Sequence, residues 1–114
     1  MRKFKNIFIT GILGSGGSYL AEFIRKKNAN INLHGNFRNI NNFHYKILKS
    51  KNINLYNCDL NNISKLKKLL QKIKPDLIYH LASNADVRKS FDEPYEIINN
   101  NNLCTLNLLE VIRT

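Results

Sequence analysis

Thr10-Gly11-Ile12-Leu13-Gly14-Ser15-Gly16-Gly17-Ser18-Tyr19-Leu20-Ala21-Glu22 is the stretch on which the fold turns. Just upstream lies the short β-rich run Ile7-Phe8-Ile9-Thr10, and downstream Leu20, Phe23 and Ile24 recur at helical spacing between Ser18 and Lys27. Glycines at 11, 14 and 17 therefore join a strand to a helix, in the spacing G-x-x-G-x-x-G rather than G-x-G-x-x-G. Gly11 allows a sharp turn out of the strand. Gly14 removes a Cβ where backbone must approach another group, and Gly17 permits close packing of helix on sheet.

The same alternation continues along the chain. Ile31 to His34 reads as a second strand ending at Gly35, followed by a polar, Asn-rich loop that carries Arg38 and a weak apolar cluster from Phe43 to Leu48. Ile53 to Tyr56 reads as a third strand. Ile63, Leu66, Leu69, Leu70 and Ile73 share one helix face, with Lys65, Lys67, Lys68 and Lys72 on the others, and Pro75 ends that helix. Leu77-Ile78-Tyr79-His80-Leu81 is a continuous apolar run of the kind a parallel sheet covered on both faces requires. A final helix runs from about Pro94 through Leu103, Leu106, Leu109 and Ile112; the tract Asn99 to Asn102 within it weakens it locally. Strands alternating with helices predict an α/β, Rossmann-type parallel sheet of order 3-2-1-4 with flanking helices, the incomplete half of a doubly wound fold. No repeat or linker divides the chain.

With 114 residues, 43% of them hydrophobic, one domain with a real core is expected. The balance of 18 Lys+Arg against 8 Asp+Glu gives a net charge of +10 and raises the question of a polyanionic partner. Lys, Asn and Ile are all abundant and all read from A/T-rich codons, so base composition is a competing cause. Cys58 and Cys104 are too few and too far apart for a disulfide framework or a zinc site, and reduced thiols are expected. The apolar run Ile7 to Ile9 is too short for a signal sequence or a membrane span, so a cytoplasmic location is expected.

Chemistry concentrates beyond the strand ends. The turn Gly11, Ile12, Leu13, Gly14, Ser15, Gly16 and Gly17 offers free backbone N–H groups and the positive end of a helix dipole to phosphates; the alternative is a flexible loop. About twenty residues past the glycines, where an acidic residue would hold a ribose hydroxyl of NAD, no acid occurs. Arg38 stands there instead, suited to a 2′-phosphate by its planar fork, or simply an exposed loop cation. Asp59, with Leu60, can accept from an adenine amino group or cap a helix. Leu81, Ala82 and Ser83 follow the fourth strand, small enough to leave room for a ribose or to pack tightly.

Taken together, the chain resembles the N-terminal part of the extended short-chain dehydrogenase/reductase superfamily, the NAD(P)-dependent nucleotide-sugar epimerases and dehydratases. The resemblance rests on Thr10-Gly11-x-x-Gly14-x-x-Gly17, Cys58-Asp59-Leu60, Tyr79-His80-Leu81-Ala82, Ser90 with Pro94, and Asn101-x-x-x-Thr105-x-Asn107-Leu108-Leu109-Glu110. Gly17-Ser18-Tyr19-Leu20-Ala21-Glu22-Phe23, His34-Gly35 with Arg38, and Val87 to Pro94 look most like the GDP-mannose 4,6-dehydratase family. Ser15-Gly16, Arg38-Asn39, Pro94-Tyr95-Glu96 and Cys104 depart from that family's usual residues. The resemblance implies NADP, alternatively NAD, with Gly11 to Gly17 on the pyrophosphate, Arg38 on the 2′-phosphate, Asp59 and Leu60 at adenine, and Leu81, Ala82, Ser83, Asn84 and Ala85 on the nicotinamide side. It also implies a nucleotide-sugar substrate and a homo-oligomer for the intact protein, and no membrane partner.

Catalysis in that superfamily uses a Tyr-x-x-x-Lys pair after a fifth strand, beyond residue 114. The literal match Tyr45-Lys46-Ile47-Leu48-Lys49 lies between the second and third strands, on the adenosine side, and is not expected to be catalytic. His34, His44 and His80 are scattered without catalytic or metal-ligand spacing, and His80 in its apolar strand is expected to be a hydrogen-bonded core residue. No catalytic or metal-binding residue is therefore assigned. The chain stops within an apolar helical pattern, so the expectation is the cofactor-binding front end of a larger enzyme, inactive alone; the resemblance implies a lyase that converts GDP-mannose to GDP-4-keto-6-deoxymannose through transient C4 oxidation. An NAD-dependent 4-epimerase or another sugar dehydratase is the enzymatic alternative. A stand-alone nucleotide- or nucleic-acid-binding module using the lysine-rich helix is the other, although aromatic interleaving is missing.

Overall fold

The computed structural model describes residues 4–40, 42–82 and 94–113. Four strands, β1 (Asn6–Thr10), β2 (Asn32–Phe37), β3 (Asn54–Asn57) and β4 (Leu77–His80), alternate with α1 (Ser15–Lys27), α2 (Asn42–Ser50) and α3 (Ile63–Ile73), and α4 (Pro94–Arg113) follows. The strands form one sheet in the order β3-β2-β1-β4, every pair parallel. Ile7 stands opposite Leu33 of β2 and Leu77 of β4, which puts β1 at the centre.

Period-two alternation along β1 sorts the core into two layers. Ile7 and Ile9 join Ile12, Leu13, Ala21, Leu33, Leu48 and Ile53 beneath α1 and α2, whereas Phe8 turns to the other face with Cys58 and Leu60 from the segment after β3 and Leu66, Leu70, Ile73, Cys104, Leu108 and Val111 from α3 and α4. Both layers are closed around β1. The first residues of that strand are clamped to the start of β4, because Asp76 accepts from the Lys5 and Asn6 amides at 3.0 and 3.1 Å.

Three local expectations change. α1 starts at Ser15 rather than Ser18, with Gly14 as its N-cap; a glycine has no side chain to cap with, so first-turn amides are left without an intrahelical partner. β2 does not end at Gly35 but runs through it to Phe37. The reason is steric: a Cβ on Gly35 would fall 2.4 Å from Ile12 Cδ1, so the glycine marks a close approach rather than a break. The segment after Arg38 is not merely a loop, for Asn42–Ser50 is helical. Leu48 is fully buried there, Tyr45 packs edge-on against Phe37, and Lys49 lies over the Tyr45 ring.

Arg25 of α1 ties this added helix to the rest. Its guanidinium donates to the carbonyls of Lys51 (3.1 Å), Asn52 (3.2 Å), Ala29 (3.0 Å) and Ile31 (2.6 Å), joining the end of α2 to the approach to β2. α3 follows its expected face through Leu66, Leu70 and Ile73, with Ile63 left exposed. Asn62 caps it by accepting from the Lys65 amide, and Lys74 closes it in the left-handed region before Pro75. β4 is half-buried rather than covered throughout, because it is one of the two outer strands of the four. Among the described residues, no helix is long and apolar enough to cross a membrane.

Candidate functional site

Because all four strands run in one direction, Gly11–Gly17, Arg38, Asp59–Leu60 and Leu81–Ala82 emerge at the same edge of the sheet. The chain leaves β1 for one neighbour and β4 for the other, so the crevice beyond them is where open α/β sheets bind ligands. The expected groups are thus gathered at one edge. Ser83, Asn84 and Ala85 lie outside the described residues.

The glycine turn is compressed backbone against backbone. Gly11 has φ +66°, and a Cβ there would come within 2.8 Å of Ala82 Cα. A Cβ on Gly17 would meet the Gly11 carbonyl oxygen at 2.4 Å, so this glycine packs the first turn of α1 onto the turn itself. The Gly14 amide donates to the Gly11 carbonyl at 3.0 Å. Gly14, Ser15 and Gly16 are exposed, no acidic residue occupies the first turn of α1, and a Cβ at Gly16 would meet nothing within 4 Å. Ile12 and Leu13 are buried in the core, so they present only backbone.

Asn36 holds the turn from the β2 side, a role not foreseen from the sequence. Its buried side chain accepts from the Gly11 amide (3.2 Å) and donates to the Cys58 carbonyl (2.7 Å), linking the exits of β1, β2 and β3. A polar residue near the end of a buried strand was the only local signal. Arg38 is exposed one residue beyond β2. Asp59 accepts from the Asn61 amide at 2.9 Å, shaping the turn before α3, while the helix cap itself is Asn62 rather than Asp59. Leu60 buries its side chain in the core, and its carbonyl accepts from Asn107 of α4 at 3.2 Å. Leu81 is exposed and Ala82 half-buried.

Thr10 and His80 form the β4 side of the crevice. The Thr10 hydroxyl lies 2.7 Å from His80 Nδ1, and His80 Nε2 lies 3.0 Å from the Thr105 hydroxyl. Burial lowers the His80 pKa below its ordinary 6.5, and does the same to His34, whose Nδ1 is 3.0 Å from the Tyr56 hydroxyl. His80 is hydrogen-bonded as expected, but it is half-buried and lies outside both core layers. Cys58 and Cys104 are free and buried, and burial raises both thiols, which keeps them protonated and unreactive. Tyr45 and Lys49 meet through the aromatic face, on the helix between β2 and β3.

Lys65, Lys68 and Lys72 line a groove of about 520 Å³ between α3 and β3, together with Leu55, Tyr56 and Leu69. Among the described residues, Tyr56 is its one aromatic wall, and it is stacked on His34 with its hydroxyl bonded to that ring. The groove therefore offers charge without a run of stacking platforms.

A parallel sheet of order 3-2-1-4, with a glycine turn leading from its first strand into a helix, defines a Rossmann-type α/β unit. A model of the GDP-mannose 4,6 dehydratase family matches residues 8–114, and the chain belongs to that family. GDP-mannose 4,6-dehydratase of Vibrio cholerae is 35% identical over 118 residues, covering 96% of this chain and 31% of that protein. UDP-glucose 4-epimerase of Mycoplasma genitalium is 33% identical, covering 93% of this chain and 31% of that protein. The solved structure of UDP-glucose 4-epimerase from Brucella ovis in complex with NAD superposes with a TM-score of 0.80 at 20% identity, covering 96% of this chain and 32% of that one, a likeness of fold. The chain thus spans about a third of the length of these relatives.

Two outcomes follow from this geometry. Gly17→Ala forces the first turn of α1 away from the Gly11 carbonyl and should destabilise the chain by about 1–3 kcal/mol, whereas Gly16→Ala should be neutral or stabilising by up to about 1 kcal/mol; urea unfolding of both variants distinguishes them. His34 and His80 have folded pKa values below 6.5, so the unfolded chain takes up protons that the folded one refuses as pH falls. Their contribution to stability is complete above pH 6.5 and is lost on acidification, so the urea midpoint should fall between pH 7.5 and pH 5 as the two rings titrate.

Proposed function

We propose that this chain supplies the adenosine and pyrophosphate side of the NADP site of a nucleotide-sugar 4,6-dehydratase acting on GDP-mannose. The observation that carries the proposal is the Gly11–Gly17 turn, set at the carboxyl edge of β1 and β4 with Gly14 and Gly16 exposed. Its residues fit a dinucleotide. Close approach to a diphosphate requires backbone without intervening Cβ atoms, and the N-terminus of α1 adds N–H groups and a favourable dipole with no acidic side chain to repel the anion.

Arg38 supports NADP, since a guanidinium just beyond β2 pairs with a 2′-phosphate where an acidic residue would repel it. The exposed side of the Asp59 turn would border adenine, and Leu81 with Ala82 would line the nicotinamide side. A nicotinamide held there would supply reversible hydride acceptance, which the transient oxidation of the hexose C4 in such a dehydration requires. This chain's part is to bind and orient; its literal Tyr-x-x-x-Lys, Tyr45 to Lys49, lies on α2 between β2 and β3 rather than after a fifth strand, and the chain alone should not turn over. The intact protein would work in the cytoplasm as a homo-oligomer.

The epimerase resemblance favours a second reading, a 4-epimerase that uses NAD, the dinucleotide held by the Brucella ovis enzyme. Cofactor titration separates the two. Fluorescence titration should show NADPH binding at least about tenfold more tightly than NADH, and Arg38→Gln should remove that preference by weakening NADPH alone, as loss of a charge-assisted bond requires. NADH binding equal to or tighter than NADPH would overturn the NADP assignment.

A further inference from the structure

Thr10 is fully buried at the last position of β1, and its hydroxyl oxygen accepts from the amides of Leu81 (2.9 Å) and Ala82 (3.0 Å). These two bonds use both lone pairs of the oxygen, so the hydroxyl proton must go to a third partner. His80 Nδ1 is that partner, at 2.7 Å. Nδ1 is consequently an acceptor, the ring proton sits on Nε2, and Nε2 donates to the Thr105 hydroxyl of α4 at 3.0 Å. One neutral imidazole thus determines the direction of every bond in a relay across β1, β4 and α4.

The relay ends at the crevice. Ala82, held by Thr10, is the residue that a Cβ on Gly11 would strike, so it forms the wall facing the glycine turn. We propose that His80 is a positioning residue of this crevice: in its Nε2–H form it orients the Thr10 hydroxyl so that Leu81 and Ala82 are held against Gly11, setting the width of the opening that receives the dinucleotide. The role assigned to the opening rests on the dinucleotide reading above. A protonated ring would direct an N–H at Thr10 and compete with the two amides for its lone pairs. Thr10 from β1 and Thr105 from α4 are the groups bonded to the ring, neither of them titratable, and burial alone lowers its pKa.

Ring ¹⁵N NMR on the chain at pH 7.5, combined with amide exchange and NADPH titration, tests the proposal. His80 should give the Nε2–H tautomer signature. His80→Phe, which removes the acceptor for Thr10, should speed exchange of the Leu81 and Ala82 amides and weaken NADPH about tenfold, the loss of roughly one hydrogen bond's worth of positioning. His80→Asn, which places a carbonyl where Nδ1 stood, should restore affinity to within about threefold of wild type, a rescue that loss of packing alone would not produce. An Nδ1–H tautomer, or wild-type affinity and amide exchange in His80→Phe, overturns the proposal. If His80→Phe does not fold, Thr10→Ser and Thr10→Val ask the same question: the serine should retain affinity and amide protection, and equal behaviour of the two overturns the relay. A wild-type chain that binds no NADPH refutes the dinucleotide reading, and the tautomer with the two amide exchange rates then decides the relay by itself.

Discussion

No side chain fits at Gly11 or Gly17, just beyond the end of β1. Gly11 turns at φ +66° with Ala82 against its Cα, and Gly17 brings the first turn of α1 onto the Gly11 carbonyl, so three segments converge with only backbone between them. Everything that positions the crevice depends on this steric constraint. A turn that had to accommodate even a methyl group would push α1 outward, separate its first amides from the strand ends and loosen the layer formed by Ile9, Ile12 and Ala21.

Two polar side chains fix the compressed turn in place. Asn36 holds Gly11 from the β2 side, and Thr10, oriented by His80, holds Leu81 and Ala82 from the β4 side. Burying such groups is costly unless each finds a partner, and among the described residues no buried side-chain nitrogen or oxygen lacks one. The polar frame sits at the strand exits, while apolar packing on both faces of β1 supplies the stability. That division suits a site that must present backbone amides without moving.

Much of this was legible from the chain because it depends on local periodicity. Strand alternation with amphipathic helices identified the parallel sheet and its order, and the glycines at 11, 14 and 17 located the turn. What escaped depends on partners far away in sequence. Gly35 reads as a strand end until Ile12 is seen in the space its side chain would occupy. α2 is short, follows an Asn-rich lead, and takes part of its anchoring from Arg25 of another helix. Asn36 showed only as a polar residue near a strand end and Thr10 only as the residue before Gly11, since their roles appear only when residues separated by tens of positions meet at one edge. The chain belongs to the GDP-mannose 4,6 dehydratase family and represents about a third of its relatives' length.

The most direct measurement of the central claim is a two-dimensional ¹H–¹⁵N titration of the chain with NADPH. The account predicts that the largest shifts fall on the backbone amides of Ser15, Gly16 and Gly17, with smaller ones at Leu81 and Ala82. Shifts confined to the lysines and backbone of α3, or none at the glycine turn at saturation, would contradict it.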